Sequence, residues 1–312
     1  MPGSRSWAPA LFLSIMGFLV VAFYLLPLLL TVWASFTPIR DWRVESLGKS
    51  VGLDNYRRLF YLIRHDPDMG KVLETTVVFV SGTLLVNVVG GFLLAVAAFL
   101  LDERVSLGFR LLWLLPRMTP VAVFGLLWYY FFHGNGMFVH FLQALGLLEG
   151  PTWIGQDQRF LPWGAWFIII FVNGLVGVSY GMIIFYSAFK SIPRDIYMAA
   201  LVDGARLRDI ILKIMVPLTR WHIIFVTVWQ LLSLLTTYAH LYVLVEWRVV
   251  DKWYGMTWSL YVFETAFGST VSDQALAAAA AVILIVVGIG LGLATLRIMG
   301  FERELKPVRG DI

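Results

Sequence analysis

Residues 191–217 read SIPRDIYMAALVDGARLRDIILKIMVP, a charged island set between two long apolar runs. Ser191 is placed to cap a helix whose first turn suits Pro193, and residues 194–203 favour about two and a half helical turns. Gly204 then breaks the helix. A second short helix from Arg206 to Met215 puts Ile210, Ile211 and Ile214 at helical spacing, and Pro217 marks the return to the apolar phase.

The flanking runs set the class. Hydrophobic residues make up 59% of the 312-residue chain, charged residues 14%, and the mean hydropathy is +0.79, more apolar surface than a water-soluble domain can hide. The composition is that of an all-α polytopic membrane protein. No Asp, Glu, Lys or Arg occurs between Arg5 and Arg40, Glu74 and Asp102, Arg159 and Lys190, Arg220 and Glu246, or Asp273 and Arg297. Each run is long enough to cross about 30 Å of hydrocarbon. A further candidate, residues 107–132, is interrupted by Arg110 and Arg117 but is otherwise overwhelmingly apolar. Six transmembrane helices put both termini on one side. A polar, structured segment between two such helices is suited to carry force into them from a soluble partner.

The run from Trp7 to Phe36 is far longer than the roughly 7–15 residues of a signal-peptide core, so it reads as a retained helix despite the small residues around Val32 and Ala34. Orientation follows from basic residues in the compact loops: Arg104 and Arg110; Lys190, Arg194, Arg206, Arg208, Lys213 and Arg220; then Arg297, Arg303, Lys306 and Arg309. Residues 37–71 are basic too, through Arg40, Arg43, Lys49, Arg57, Arg58, Arg64 and Lys71. They are offset by Asp41, Glu45, Asp54, Asp66 and Asp68. The balance favours cytoplasmic termini and external segments 37–71, 133–161 and 246–272. Residues 138–148 (FVHFLQALGLL) suit an interfacial helix ended by Gly150-Pro151.

Polar residues inside the spans mark interior faces. Asn173, Tyr180 and Ser187 recur every seven residues, with Gly177 near the same face; Gln230, Ser233 and Thr237 share a narrow sector; Thr76, Thr83, Asn87 and Gly90 line another helix. Neutral hydrogen-bonding stripes and abundant aromatics suit a hydroxyl-rich solute such as a sugar, and equally suit helix-to-helix bonding. Arg117 either marks a pathway or, on a helix bent at Pro116 and Pro120, snorkels to the cytoplasmic surface. The pairs Gly177/Gly181 and Gly288/Gly292 permit close helix packing.

Enzymatic readings find little support. His65, His133, His140, His222 and His240 show no metal-ligand spacing, no cysteine is present, and there is no phosphate-binding Gly-x-x-x-x-Gly-Lys-Ser/Thr loop. Neither a catalytic group nor a bound metal is expected. The net charge of +4 belongs to the loops between spans, and no nucleic-acid partner is expected.

The island resembles the cytoplasmic coupling loop of binding-protein-dependent ABC importers, whose pattern is Glu-Ala-Ala, three residues, Gly, nine residues, Ile-x-Leu-Pro. Ala199, Ala200, Asp203, Gly204, Ala205, Ile214 and Pro217 stand at the matching positions, with nine residues between Gly204 and Ile214. Met198 replaces the family's Glu, which removes a carboxylate suited to an ion pair and leaves apolar docking in its place; Val216 replaces Leu. Residues 52–56 (GLDNY), Leu115-Pro116, Pro120, Trp128 and Ala275 to Ala281 extend the resemblance along the chain toward the maltose and oligosaccharide permeases.

The resemblance implies the type I ABC importer permease fold. It divides the chain into a first helix with its external segment (1–71), a five-helix permease domain (72–300) carrying the coupling loop (191–217), and a cytoplasmic tail (301–312). It also implies a non-catalytic permease subunit for a sugar or oligosaccharide. The expected partners are a second permease subunit, two ABC ATPase subunits that hold ATP and Mg, an extracytoplasmic solute-binding protein, the sugar and the surrounding lipid. The coupling residues are Met198, Ala199, Ala200, Asp203, Gly204, Ala205, Ile214 and Pro217, and the expected substrate pathway is Asn87, Asn173, Tyr180, Gln230, Ser233 and Thr237. An importer for glycerol phosphate or a polyamine is the nearer alternative, although spans without acids argue against a polyamine. A secondary transporter is the more distant one, since its ion coupling normally uses intramembrane acids.

Overall fold

The computed structural model describes residues 7–40, 49–268 and 272–300, and these fold into helices without a strand. The first helix, α1, runs Trp7–Val20, through a π turn at Val21–Leu25, into Leu26–Ala34. Then follow α2 (Asp54–His65), α3 (Pro67–Leu100, with a π turn at Val86–Gly90), α4 (Glu103–Met118), α5 (Val121–Phe132), α6 (Met137–Ala144) and α7 (Trp163–Ser191). The chain continues through α8 (Arg194–Val202), α9 (Leu207–Leu218, with a π turn at Ile211–Met215), α10 (Arg220–Thr236), α11 (Ala239–Glu246), α12 (Lys252–Gly255), α13 (Trp258–Phe267) and α14 (Gln274–Ile298). Two of the π turns precede Pro27 and Pro217 and close with i→i−5 bonds, from Leu26 N to Val21 O and from Val216 N to Ile211 O. The wider turn moves aside the carbonyl that a proline ring would otherwise strike. Helix α9 therefore runs through Pro217 and ends at Leu218.

Among the described residues, four helices are long and apolar enough to cross a membrane: Leu11–Ala34, Pro67–Leu100, Trp163–Ser191 and Gln274–Ile298. The count reaches six if each of two bent helix pairs is one span. Where the sequence suggests a merely bent third span, the chain breaks, and Glu103–Met118 and Val121–Ala144 meet at 97°. Pro116 stays inside α4; the break falls at Thr119, forced into extended backbone (φ −74°, ψ 129°) by the proline that follows. The expected fifth span also divides, since α10 stops at Thr236 and Thr237 turns extended. Ser259 Oγ donates to the carbonyl of Thr237 at 2.6 Å, so the break leaves that carbonyl paired. The interfacial helix is shorter than expected. It ends at Ala144, six residues before Gly150, where Gly146 takes φ +70° and Leu147 N bonds Leu142 O.

The chain groups into two compact units, residues up to Met69 with Tyr261–Val286, and Gly70–Leu260 with Val287 onward. The expected 1–71 segment is thus joined by residues from the start of the last span. Within the first unit, the GLDNY sequence has a structural role: Asn55 Nδ2 donates to Ser35 O and Thr37 O, at 2.9 and 2.8 Å, and the Tyr56 hydroxyl meets Ser35 Oγ at 2.7 Å. These bonds satisfy the orphan carbonyls at the end of α1. Arg58 pairs with Asp273, whose carboxylate also accepts from Leu276 N in the first turn of α14. Residues 41–48 and 301–312 lie outside the described residues, and with them the tail and the charges of Asp41, Arg43, Glu45, Arg303, Lys306 and Arg309.

In the second unit, α3 and α7 approach at backbone distance. A Cβ on Gly91 would stand 3.0 Å from both Gly181 Cα and Val178 O, so only glycine admits this crossing. The Gly288/Gly292 pair packs against Leu232 at ordinary contact distances and makes no such approach. Phe185, Phe189, Met182 and Met215 form the buried centre of this unit, and Phe92 stands edge-on to both phenylalanines.

Candidate functional site

The island forms two short helices joined by a tight corner. Asp203 closes α8, Gly204 takes φ +74°, Gly204 N bonds Leu201 O at 3.1 Å and Ala205 N reaches Ala200 O at 2.9 Å. This paired arrangement ends a helix around a left-handed residue and is open to glycine with little strain. The far side starts with Arg206 N bonded to Asp209 Oδ2, and Lys213 Nζ lies 2.7 Å from Asp209 Oδ1. The lysine ammonium holds the Asp209 carboxyl below its ordinary range. Ser191 does not cap α8: it is the last residue of α7, its hydroxyl bonds back to Ala188 O at 2.7 Å, and Pro193 stands at the capping position without a side-chain bond.

One face of the corner is anchored. Tyr197 donates to Phe189 O at 3.2 Å and packs on Phe99, while Ala200, Ala205, Ile210 and Ile211 join the apolar centre of the unit. Burial raises the Tyr197 phenol above its usual pKa. The other face is bare: Val202 is 85% exposed, Leu201 56%, Met198 48% and Leu207 48%. Of the expected coupling residues, Met198, Ala199, Asp203, Gly204 and Pro217 are exposed, while Ala200, Ala205 and Ile214 are half-buried. The loop therefore presents a small apolar surface on a rigid support.

A brace stands at the end of α7 that the sequence does not reveal: Arg110 and Lys190 read there as loop charges alone, and Glu103 and Tyr186 carry no signal. Glu103 accepts from Lys190 Nζ at 3.0 Å, Arg110 at 3.2 Å and the Tyr186 hydroxyl at 3.3 Å; the Arg110 guanidinium lies 4.0 Å from the Tyr186 ring centroid. These groups tie the first turn of α4 to the last turn of α7, beside the start of the loop.

The polar residues of the spans divide into two sets. Asn87 Nδ2 donates to Gln230 Oε1 at 3.3 Å and Gln230 Nε2 donates to Gly177 O at 3.0 Å, so buried amides from α3 and α10 meet on the backbone of α7. A Cβ on Gly177 would fall 2.1 Å from Asn87 Nδ2, which explains glycine there. Asn173 is buried and donates to Ile169 O of its own helix at 2.9 Å. Each of these three buried amides thus donates a hydrogen bond within the chain. Tyr180 is half-buried, Ser233 exposed and Thr237 half-buried. Tyr180 stacks on Trp229 with ring centroids 6.2 Å apart, and Arg117 lies over its face at 5.3 Å. Arg117 is exposed, and its guanidinium lies over Tyr180 and not at the Glu103 brace.

A sequence profile described as "Binding-protein-dependent transport system inner membrane component" matches residues 87–298, more than half of the chain. The chain belongs to this family. Among curated relatives, the sn-glycerol-3-phosphate transport system permease protein UgpA of Escherichia coli O157:H7 is 30% identical over 214 residues, 68% of each chain. The Probable ABC transporter permease protein YurN of Bacillus subtilis (strain 168) is 30% identical over 217 residues, again 68% of each. Among solved structures, a chain of a bacterial alginate ABC transporter, crystallised with an alginate pentasaccharide-bound periplasmic protein, superposes with a TM-score of 0.73. That match covers 95% of both chains at 18% identity. A second crystal structure, of a bacterial ABC transporter involved in import of the acidic polysaccharide alginate, gives a TM-score of 0.72 at 17% identity over 97% of both chains. The likeness to these two is one of fold, and the chain has the ABC importer permease fold. Its family makes it a membrane-embedded transport component.

Proposed function

We propose that the chain is the permease subunit of an ATP-driven importer for a sugar or oligosaccharide and forms half of the translocation pathway beside a second, related permease. Two ABC ATPase subunits carry out hydrolysis, hold ATP and Mg, and grip the loop at residues 191–217. An extracytoplasmic solute-binding protein delivers the solute, and both termini lie in the cytoplasm. The observation that carries this reading is the loop itself, an apolar face projecting from a corner bolted to the ends of α3 and α7. Movement of the ATPases then turns α7 and α4 together through the Glu103 brace, and access to the pathway alternates. Tyr180, Ser233 and Thr237 remain on the pathway in this account, while Asn87, Asn173 and Gln230 hold the helices. The family's dependence on a binding protein and the YurN likeness support the importer. A second reading, import of glycerol phosphate, is favoured by the name of UgpA.

Docking that buries Leu201 and Val202 contributes about 1.5 to 3 kcal/mol for each side chain. Replacing both by Asp is expected to weaken ATPase association roughly a hundredfold, since about 1.4 kcal/mol corresponds to each factor of ten. Co-purification from solubilised membranes reads this directly. Full retention of the ATPase by the double variant would place the grip elsewhere.

A further inference from the structure

We infer that Arg117, beside the stacked rings of Tyr180 and Trp229, recognises an anionic group on the transported solute, a carboxylate or phosphate carried on a sugar-like body. This rests on the importer reading and names the class of solute within it.

Glu103 and Lys190 are ion-paired and so mark one level of the second unit. At 1.5 Å per residue, Arg117 stands about 21 Å along α4 from Glu103, and Tyr180 about 15 Å along α7 from Lys190. With that ion pair at the edge of a hydrocarbon layer about 30 Å thick, both positions fall inside the layer. The guanidinium lies over the Tyr180 ring, 5.3 Å from its centroid.

Arg117 is exposed on this chain, and among the described residues its guanidinium has no ion-pair partner. The charge-free runs supply no carboxylate. A permanent cation at mid-depth is disfavoured against lipid, so it faces water or a group that neutralises it. The same absence of acids that disfavours a polyamine leaves an anion welcome.

Tyr180 and Trp229 stack at an interplanar angle of 18°, and Phe225 continues the stack on Trp229 at 24°. Phe225, Trp229 and Ser233 follow one another at four-residue spacing on α10, which puts them on one exposed face. Flat aromatic faces suit the apolar face of a sugar ring, the Ser233 hydroxyl suits its hydroxyls, and the planar guanidinium suits a carboxylate or phosphate through two parallel hydrogen bonds.

The test uses the importer assembled with its partner subunits in proteoliposomes and supplied with its solute-binding protein. Uptake is compared for a trisaccharide of hexuronates, for sn-glycerol 3-phosphate, and for a neutral hexose trisaccharide, in wild type, Arg117→Gln and Arg117→Lys. The expected result is uptake of at least one anionic probe by wild type, a loss of roughly tenfold or more in Arg117→Gln, and partial retention in Arg117→Lys. Affinity of the binding protein for the probe and ATPase association are expected to stay unchanged. Wild-type uptake of the neutral probe alone, or Arg117→Gln moving the anionic probe at the wild-type rate, overturns the inference and leaves the importer reading standing. Release of the second permease by Arg117→Gln also overturns it, because the countercharge then belongs to that subunit. Uptake of none of the three probes takes down the sugar-importer reading and the inference together.

Discussion

Gly204→Val is expected to leave every span inserted and to abolish solute-stimulated ATP hydrolysis. The residue holds φ +74°, a conformation that costs a side chain with a Cβ about 1 to 2 kcal/mol and a β-branched one more. Space is not the obstacle, since a Cβ at this position meets nothing within 4 Å. Relief of the strain moves the corner out of its left-handed turn. The bonds from Gly204 N and Ala205 N then break, and α9 rotates against α8. The apolar face formed by Met198, Leu201, Val202 and Leu207 is thereby divided. Asn tolerates the left-handed conformation, so Gly204→Asn is expected to keep most of the activity. ATPase assays on the purified complex compare the two. Equal activity in Gly204→Val and wild type would show that the corner transmits nothing.

Gly177→Ala is expected to give the largest loss of stability among conservative changes inside the spans. Its methyl group would stand 2.1 Å from Asn87 Nδ2 and 2.4 Å from Asn87 Oδ1, positions no contact can occupy. Asn87 must swing away and lose Gln230, which strands a buried amide oxygen at a cost of about 1 to 3 kcal/mol. Asn87→Ala alone loses the same bond without the clash. The double variant is then expected to be no less stable than Gly177→Ala, because removing the Asn87 side chain removes what the methyl group strikes. Thermal unfolding of the detergent-solubilised complex reads all three. Simple additivity would mean that the two positions do not share this contact.

The spans were legible because a charge inside hydrocarbon is costly, so charge-free runs in the sequence mark the membrane. The loop was legible because its spacing encodes two helices and a glycine corner, and the chain turns that corner at Gly204. What stayed hidden depends on partners distant in sequence. Asn87 and Gln230 belong to two separate stripes in the sequence, yet each meets the other across 143 positions, and no periodicity reveals that. The Glu103–Lys190 brace spans 87 positions and was hidden in the same way. The breaks at Thr119 and Thr237 differ in kind. The first follows from the proline beside it and was open to a stricter reading of X-Pro geometry. The second depends on Ser259 taking a freed carbonyl, which only the folded chain supplies.

The absence of native cysteines makes one measurement especially direct. Val202→Cys places a thiol on the most exposed apolar residue of the loop. A membrane-impermeant maleimide is expected to label it in inside-out vesicles that lack the ATPase and not in right-side-out vesicles. Assembly with the ATPase is expected to protect it. Labelling from the external side would reverse the orientation, and labelling unchanged by ATPase binding would contradict the coupling role of residues 191–217.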